Sequence, residues 1–146
     1  MKIDHGTLVA VMDGKKMLLF RNEGDETYPN LVLEQEREQD NPPGHEQGTD
    51  APGRAFSSVG PGRSAMEETD FHRLAEDRFA DEAAAILNKR ALANAFDKLI
   101  IVAPPKTLGE LRGHYHKELE SRLVGEVAKD LTGHPVPDIE RIVSES

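Results

Sequence analysis

Cysteine does not occur in the 146 residues, which excludes disulfides, thiolate metal sites and a cysteine nucleophile together. No run approaches the roughly 20 apolar residues that a bilayer crossing needs, so no membrane span is expected. Cations are scarce: 18 Lys and Arg face 27 Asp and Glu, a formal charge of -9. A uniformly acidic surface repels nucleic acid and anionic lipid at long range, so any RNA contact has to be local, and nothing indicates DNA. Met1-Lys2-Ile3-Asp4-His5 lacks the apolar core of an export signal, which makes a cytoplasmic location the expectation. What is present is 37% hydrophobic and 31% charged, the balance of a soluble globular protein. The length suits one domain, 1–146, with a real core.

The apolar pattern opens with a hairpin. Leu8, Val9, Val11 and Met12 are followed by Asp13-Gly14 and then by Met17, Leu18, Leu19 and Phe20. Asp-Gly between two such runs predicts a type I′ turn, with positive φ at both central residues. The runs barely alternate, so both strands should be covered on both faces. A third strand is expected over Leu31–Glu36, with Glu34, Glu36 and Glu38 demanding a solvated face. Ser64-Ala65-Met66-Glu67 reads as a capping box, and Phe71, Leu74, Ala75, Phe79, Ala83, Ile86 and Leu87 then share one helical face. That helix is placed at about 65–94, with acids early and Lys89-Arg90 late, as the macrodipole favours. Leu99–Ala103 reads as a buried strand stopped by Pro104-Pro105, and Leu108, Leu111, Tyr115 and Leu119 predict a helix over Lys106–Arg122. Leu123–Leu131 tolerates strand or helix, with length and Gly133 favouring strand. Pro135–Ser144 reads as a short helix with Ile139, Ile142 and Val143 inward. The order ββ(β)–α–β–α–β–α implies a single α/β layered domain, a mixed sheet flanked by helices. No repeat is present.

Residues 41–63 differ in character. Pro42, Pro43, Pro52 and Pro61 with Gly44, Gly48, Gly53, Gly60 and Gly62 exclude a helix or central strand, so this stretch reads as a long flexible loop before the longest helix. Its second half carries the strongest chemical signal. Residues 51–66 (APGRAFSSVGPGRSAM) hold two Pro-Gly-Arg triplets and no acid. Arg54 and Arg63 supply forked donors for phosphate, Phe56 a stacking face, and Gly60 and Gly62 a close backbone approach. Gly62 also leads towards a helix N-terminus beside Ser64, where free amides favour an anion. The alternative is a linker whose glycines and prolines merely avoid structure.

Other motifs are weaker. His114-Tyr115-His116 sits poorly for chelation on a helix, while His114 with Glu118 and His72 with Glu76 share faces at i, i+4. These read as solvated polar faces, and no H-E-x-x-H appears, so no metal is expected. Asp4, Asp13 and Asp97 near strand ends read as ordinary turn acids. No G-x-S-x-G elbow, complete dinucleotide fingerprint or Walker lysine is present, and no cofactor is expected.

Taken together, Asp13-Gly14, the glycine-rich loop, Phe71-His72, Glu76-x-x-Phe79-Ala80, LIIVAPPKTLGELR (99–112) and Lys129-Asp130-Leu131-Thr132 resemble the bacterial host attachment protein family. The resemblance covers nearly the whole chain. That family is grouped with bacterial relatives of the archaeo-eukaryotic peptide-chain release factor, whose middle domain has a similar α/β layout. In those factors a Gly-Gly-Gln followed by Ser-Ala leads into a long helix, and the glutamine positions water for ester cleavage on peptidyl-tRNA. Here Gly62-Arg63-Ser64-Ala65 stands in a similar place, with Arg63 where the glutamine belongs. Arginine binds phosphate but does not position water as a carboxamide does.

The acid-free segment and the resemblance together point, first, to a non-catalytic release-factor-like module that touches RNA or the ribosome through Arg54, Phe56, Gly60, Gly62, Arg63 and Ser64. A hydrolase acting on peptidyl- or aminoacyl-tRNA is the second reading, and a protein–protein adaptor linked to host attachment the third. Self-association into a homo-oligomer is left open.

Overall fold

An unbroken apolar run from Leu8 to Met12 is satisfied by a strand covered on both faces. In the computed structural model it forms β1 (Leu8–Met12), buried at every position. The structure describes residues 1–39 and 61–146, and in the second stretch it describes side chains from residue 74 onward. After β1 come β2 (Lys16–Asn22), β3 (Leu31–Glu38), α1 (Pro61–Leu92) and β4 (Leu99–Val102). Then follow α2 (Pro105–Arg112), α3 (Lys117–Glu120), β5 (Leu123–Val127) and α4 (Val136–Glu145).

The strands form one mixed sheet in the order β3-β2-β1-β4-β5. β1 pairs antiparallel with β2 and parallel with β4, and β4 pairs parallel with β5. Strand alternation sends Leu8, Ala10, Met12, Leu19, Leu99 and Ile101 to one face, where α1 closes over them with Phe79, Ala83, Ala84 and Leu87. Leu108, Leu111 and Leu119 from α2 and α3 complete that layer. Val9, Val11, Leu18, Phe20, Ile100 and Val102 point the other way and meet Ile139 and Val143 of α4, with Ile3 and Leu131 beside them. The helix-flanked mixed sheet expected from the sequence is thus the observed fold. Among the described residues no helix is long and apolar enough to cross a membrane.

Five local expectations are corrected or refined. Asp13-Gly14 does join β1 to β2, but not by a type I′ turn: among the described residues only Gly6 and Asn94 have positive φ. The Asp13 side chain makes the turn instead. Its Oδ1 accepts from the Lys15 and Lys16 amides at 2.7 and 2.8 Å, while Asp13 N–H donates to the Lys16 carbonyl at 2.9 Å. β3 runs on to Glu38, with Glu34, Glu36 and Glu38 exposed as their charge requires.

α1 begins at Pro61 rather than near residue 65, so Ser64 lies inside its first turn and is not the cap residue of a capping box. Proline carries a preset helical φ and needs no hydrogen bond at that position, which permits the earlier start. The helix expected over Lys106–Arg122 is broken. α2 stops at Arg112, and α3 starts after His116, whose Nδ1 accepts the Glu118 amide at 3.0 Å. Asn88 of α1 holds the break open: its Nδ2 donates to the His114 carbonyl at 2.9 Å and its Oδ1 accepts from the His116 amide at 3.0 Å. Of the ambiguous segment Leu123–Leu131, β5 takes Leu123–Val127 as strand while residues 128–131 lie outside it, and α4 matches the short helix expected after it.

Candidate functional site

Of the six residues singled out in the sequence, Arg54, Phe56 and Gly60 lie outside the described residues. So does the rest of the long connection up to residue 60. Gly62, Arg63 and Ser64 stand in the first turn of α1, and their side chains lie outside the described residues. Gly62 is therefore a helical residue, not part of the connection that precedes the helix.

What the described residues do bring together is the end of the sheet where the parallel strands finish. β1 runs out at Met12, β4 at Val102 and β5 at Val127, side by side. In open α/β sheets, ligands bind outside the carboxyl ends of such strands. Three segments that carry the family resemblance emerge there: Asp13-Gly14 after β1, Ala103 to Arg112 after β4, and Lys129 to Thr132 after β5. They are tied to one another. The Thr132 hydroxyl lies 3.1 Å from Asp13 Oδ2 and 2.8 Å from Asp130 Oδ1, and its single proton serves one carboxylate at a time. The Ala103 amide donates to the Val127 carbonyl at 3.0 Å, joining the second segment to the third. This convergence was not legible in the sequence. Each segment follows an apolar run, but only the strand order shows that the three runs are neighbours.

The same end of the sheet receives α1. Gln39, just past β3, donates from Nε2 to the Ala75 carbonyl at 2.9 Å. Lys106 at the start of α2 pairs with Glu76 at 3.2 Å. A Cβ on Gly14 would lie 3.1 Å from the Glu76 Cγ, so the β1–β2 turn packs directly on that side chain and a larger residue there would push it aside. One residue further, Asp77 faces Glu110 of α2. Burial, with the Asp77 contact and charge next, pushes the Glu110 carboxyl up to about 7.

That carboxyl makes stability depend on pH in a defined direction. Its folded value stands above the unfolded one, so the folded state holds more protons between about pH 4.5 and pH 7, and stability falls as pH rises through that window. Glu110→Gln is expected to raise the unfolding free energy by about 1 kcal/mol at pH 8, solvent screening having reduced the effect, and to change little at pH 4. Urea unfolding of both proteins at the two pH values checks this; equal gains at both would show that the effect is not ionisation.

On the far side of α2, Glu126 accepts from Arg112 Nε and Nη2 at 3.0 and 2.6 Å and from the Tyr115 hydroxyl at 3.0 Å. Burial and the Glu126 charge hold that phenol well above its usual range. With three donors from two neighbouring side chains on the Glu126 carboxylate, this reads as a structural cluster. His114 does not share a helix face with Glu118; it lies in the break and its Nδ1 is 3.4 Å from Asp81 Oδ1. The expected pairing of His72 with Glu76 lies outside the described side chains. Among the described residues no group of three or more His, Asp or Glu side chains is placed to hold a metal ion.

Compared with known protein families, residues 6–143 match the model described as bacterial archaeo-eukaryotic release factor family 12. No curated protein matches the chain. The matched span takes in all three segments at the carboxyl ends of β1, β4 and β5, together with the whole of α1.

Proposed function

The chain belongs to bacterial archaeo-eukaryotic release factor family 12, and from that premise we propose that it is a non-catalytic module that grips RNA or the ribosome through its Pro-Gly-Arg segment. The observation that carries this reading is the separation of charge. Residues 51–66 contain Arg54 and Arg63 and no acid, in a chain whose overall formal charge is -9. An anionic body repels phosphate, so a local cationic segment is the feature able to select it. Arginine forks match phosphate oxygens, Phe56 adds a face for a base, and the glycines let backbone amides approach. Where the archaeo-eukaryotic release factors carry a water-positioning glutamine ahead of Ser-Ala, this chain carries Arg63, which favours binding over hydrolysis.

Co-sedimentation with ribosomes over a range of salt tests the reading. Replacing both Arg54 and Arg63 with alanine is expected to weaken binding at least about tenfold and to flatten the salt dependence by one to two units of slope, as two lost phosphate contacts predict. Wild-type protein that stays in the supernatant, or a double variant indistinguishable from it, refutes the proposal. Release of peptide from peptidyl-tRNA above the buffer rate would move the chain to the hydrolase reading. Capture of protein partners insensitive to RNase would move it to the adaptor reading.

A further inference from the structure

The turn of α1 at residues 75–77 takes polar contacts from two separate elements and a close packing contact from a third, one turn before Phe79, the first buried side chain described on the helix. Gln39 reaches it from the end of β3 and Gly14 from the β1–β2 turn, while Lys106 reaches it from α2. Glu76 lies at the centre of these contacts. Its carboxylate meets the Lys106 ammonium at 3.2 Å, and its methylene stem lies where a Cβ on residue 14 would intrude.

We infer that Glu76 is a positioning residue: its ion pair with Lys106, closed over by Gly14, fixes the direction in which α1 carries its first turn, Pro61 to Ser64. That this direction matters for binding rests on the function proposed above; the clamp itself does not. From Glu76 to Pro61 the helix axis extends about 22 Å, so a pivot of about 10° at the clamp displaces the first turn by about 4 Å. Such a displacement is enough to separate a guanidinium from a phosphate it would otherwise meet. The Lys106 side chain is largely exposed, and an ion pair of this kind adds little to global stability. The clamp therefore shows itself in the spread of helix directions and not in the melting temperature.

The absence of cysteine allows the spread to be measured directly. Glu67→Cys on α1 and Val124→Cys on β5 introduce two sites for nitroxide labels, and pulsed electron resonance gives their distance distribution. In this background Glu76→Ala is expected to about double the width of the distribution, given the length of the lever. The charge exchange Glu76→Lys with Lys106→Glu is expected to restore the narrow form. An unchanged width in Glu76→Ala overturns the inference, as does a broadening that the exchange leaves unrepaired. Ribosome sedimentation of the same variants reads the function separately. Weaker binding in Glu76→Ala that recovers in the exchanged protein joins the two, whereas a narrow distribution in a wild-type protein that binds no ribosome keeps the clamp and removes the functional reading.

Discussion

Alanine in place of Asn22 is expected to lower the unfolding free energy by about 3 kcal/mol, and with it the melting temperature by about 10 °C in a chain of this length. Asn22 is fully buried at the end of β2 and uses its whole amide. Its Oδ1 accepts the Gly24 and Asn30 amides at 2.9 and 2.8 Å. Its Nδ2 donates to the Ile3 carbonyl at 2.7 Å and to the Asp4 carbonyl at 3.2 Å. One side chain thus satisfies backbone groups of the N-terminal segment and of both ends of the β2–β3 connection. Removing it strips the buried Ile3 carbonyl and the part-buried Gly24 and Asn30 amides of this partner, and each such group costs about 1–3 kcal/mol unless water reaches it. The connection itself is tight, since a Cβ on Gly24 would come within 2.2 Å of the Tyr28 carbonyl oxygen. Urea unfolding measures the loss; a change below about 1 kcal/mol would mean that water replaces the amide.

The second large effect is at Phe79. Its ring is 1% exposed and belongs to the cluster that α1 makes with Leu8, Met12, Leu19 and Ile101. Phe79→Ala removes that apolar area and leaves a cavity, so a loss of about 3–5 kcal/mol is expected. The neighbours on the helix are Ala80, Ala83 and Ala84, which are too small to fill the space. Denaturant titration should move the midpoint while leaving its steepness as it was. Comparison with Glu76→Ala separates two kinds of anchoring on one helix: Phe79 secures the global fold, while Glu76 governs direction alone. Equal stability losses in the two variants would contradict that division.

Much of the fold was legible in sequence because apolar runs report burial directly. Leu8 to Met12 and Leu99 to Val102 read as strands covered on both faces, and they are. Where the reading failed, a distant polar side chain decided the outcome. Leu108, Leu111 and Leu119 keep helical phase across the break at residues 113–116, so periodicity alone could not reveal it; Asn88, on another helix, does. At Asp13-Gly14 the dipeptide predicted the hairpin but not its turn, because the Asp13 carboxylate supplies acceptors that backbone geometry would otherwise provide. The candidate site was legible in composition, as the acid-free stretch 51–66, and of its members Gly62, Arg63 and Ser64 fall on α1. The meeting of Asp13, Lys106 and Thr132 at one end of the sheet depends on β1 lying beside β4, which no local pattern encodes.

The position of β1 has a consequence for synthesis. The strand is apolar on both sides and takes β2 as one neighbour at once, but its other neighbour, β4, is translated only after the long connection and α1. Until Leu99 and the residues beyond it leave the exit tunnel, a nascent β1–β2–β3 meander carries an unpaired, water-averse margin at what will become the middle of the sheet. During that interval this edge is the part of the growing polypeptide most open to pairing with another copy.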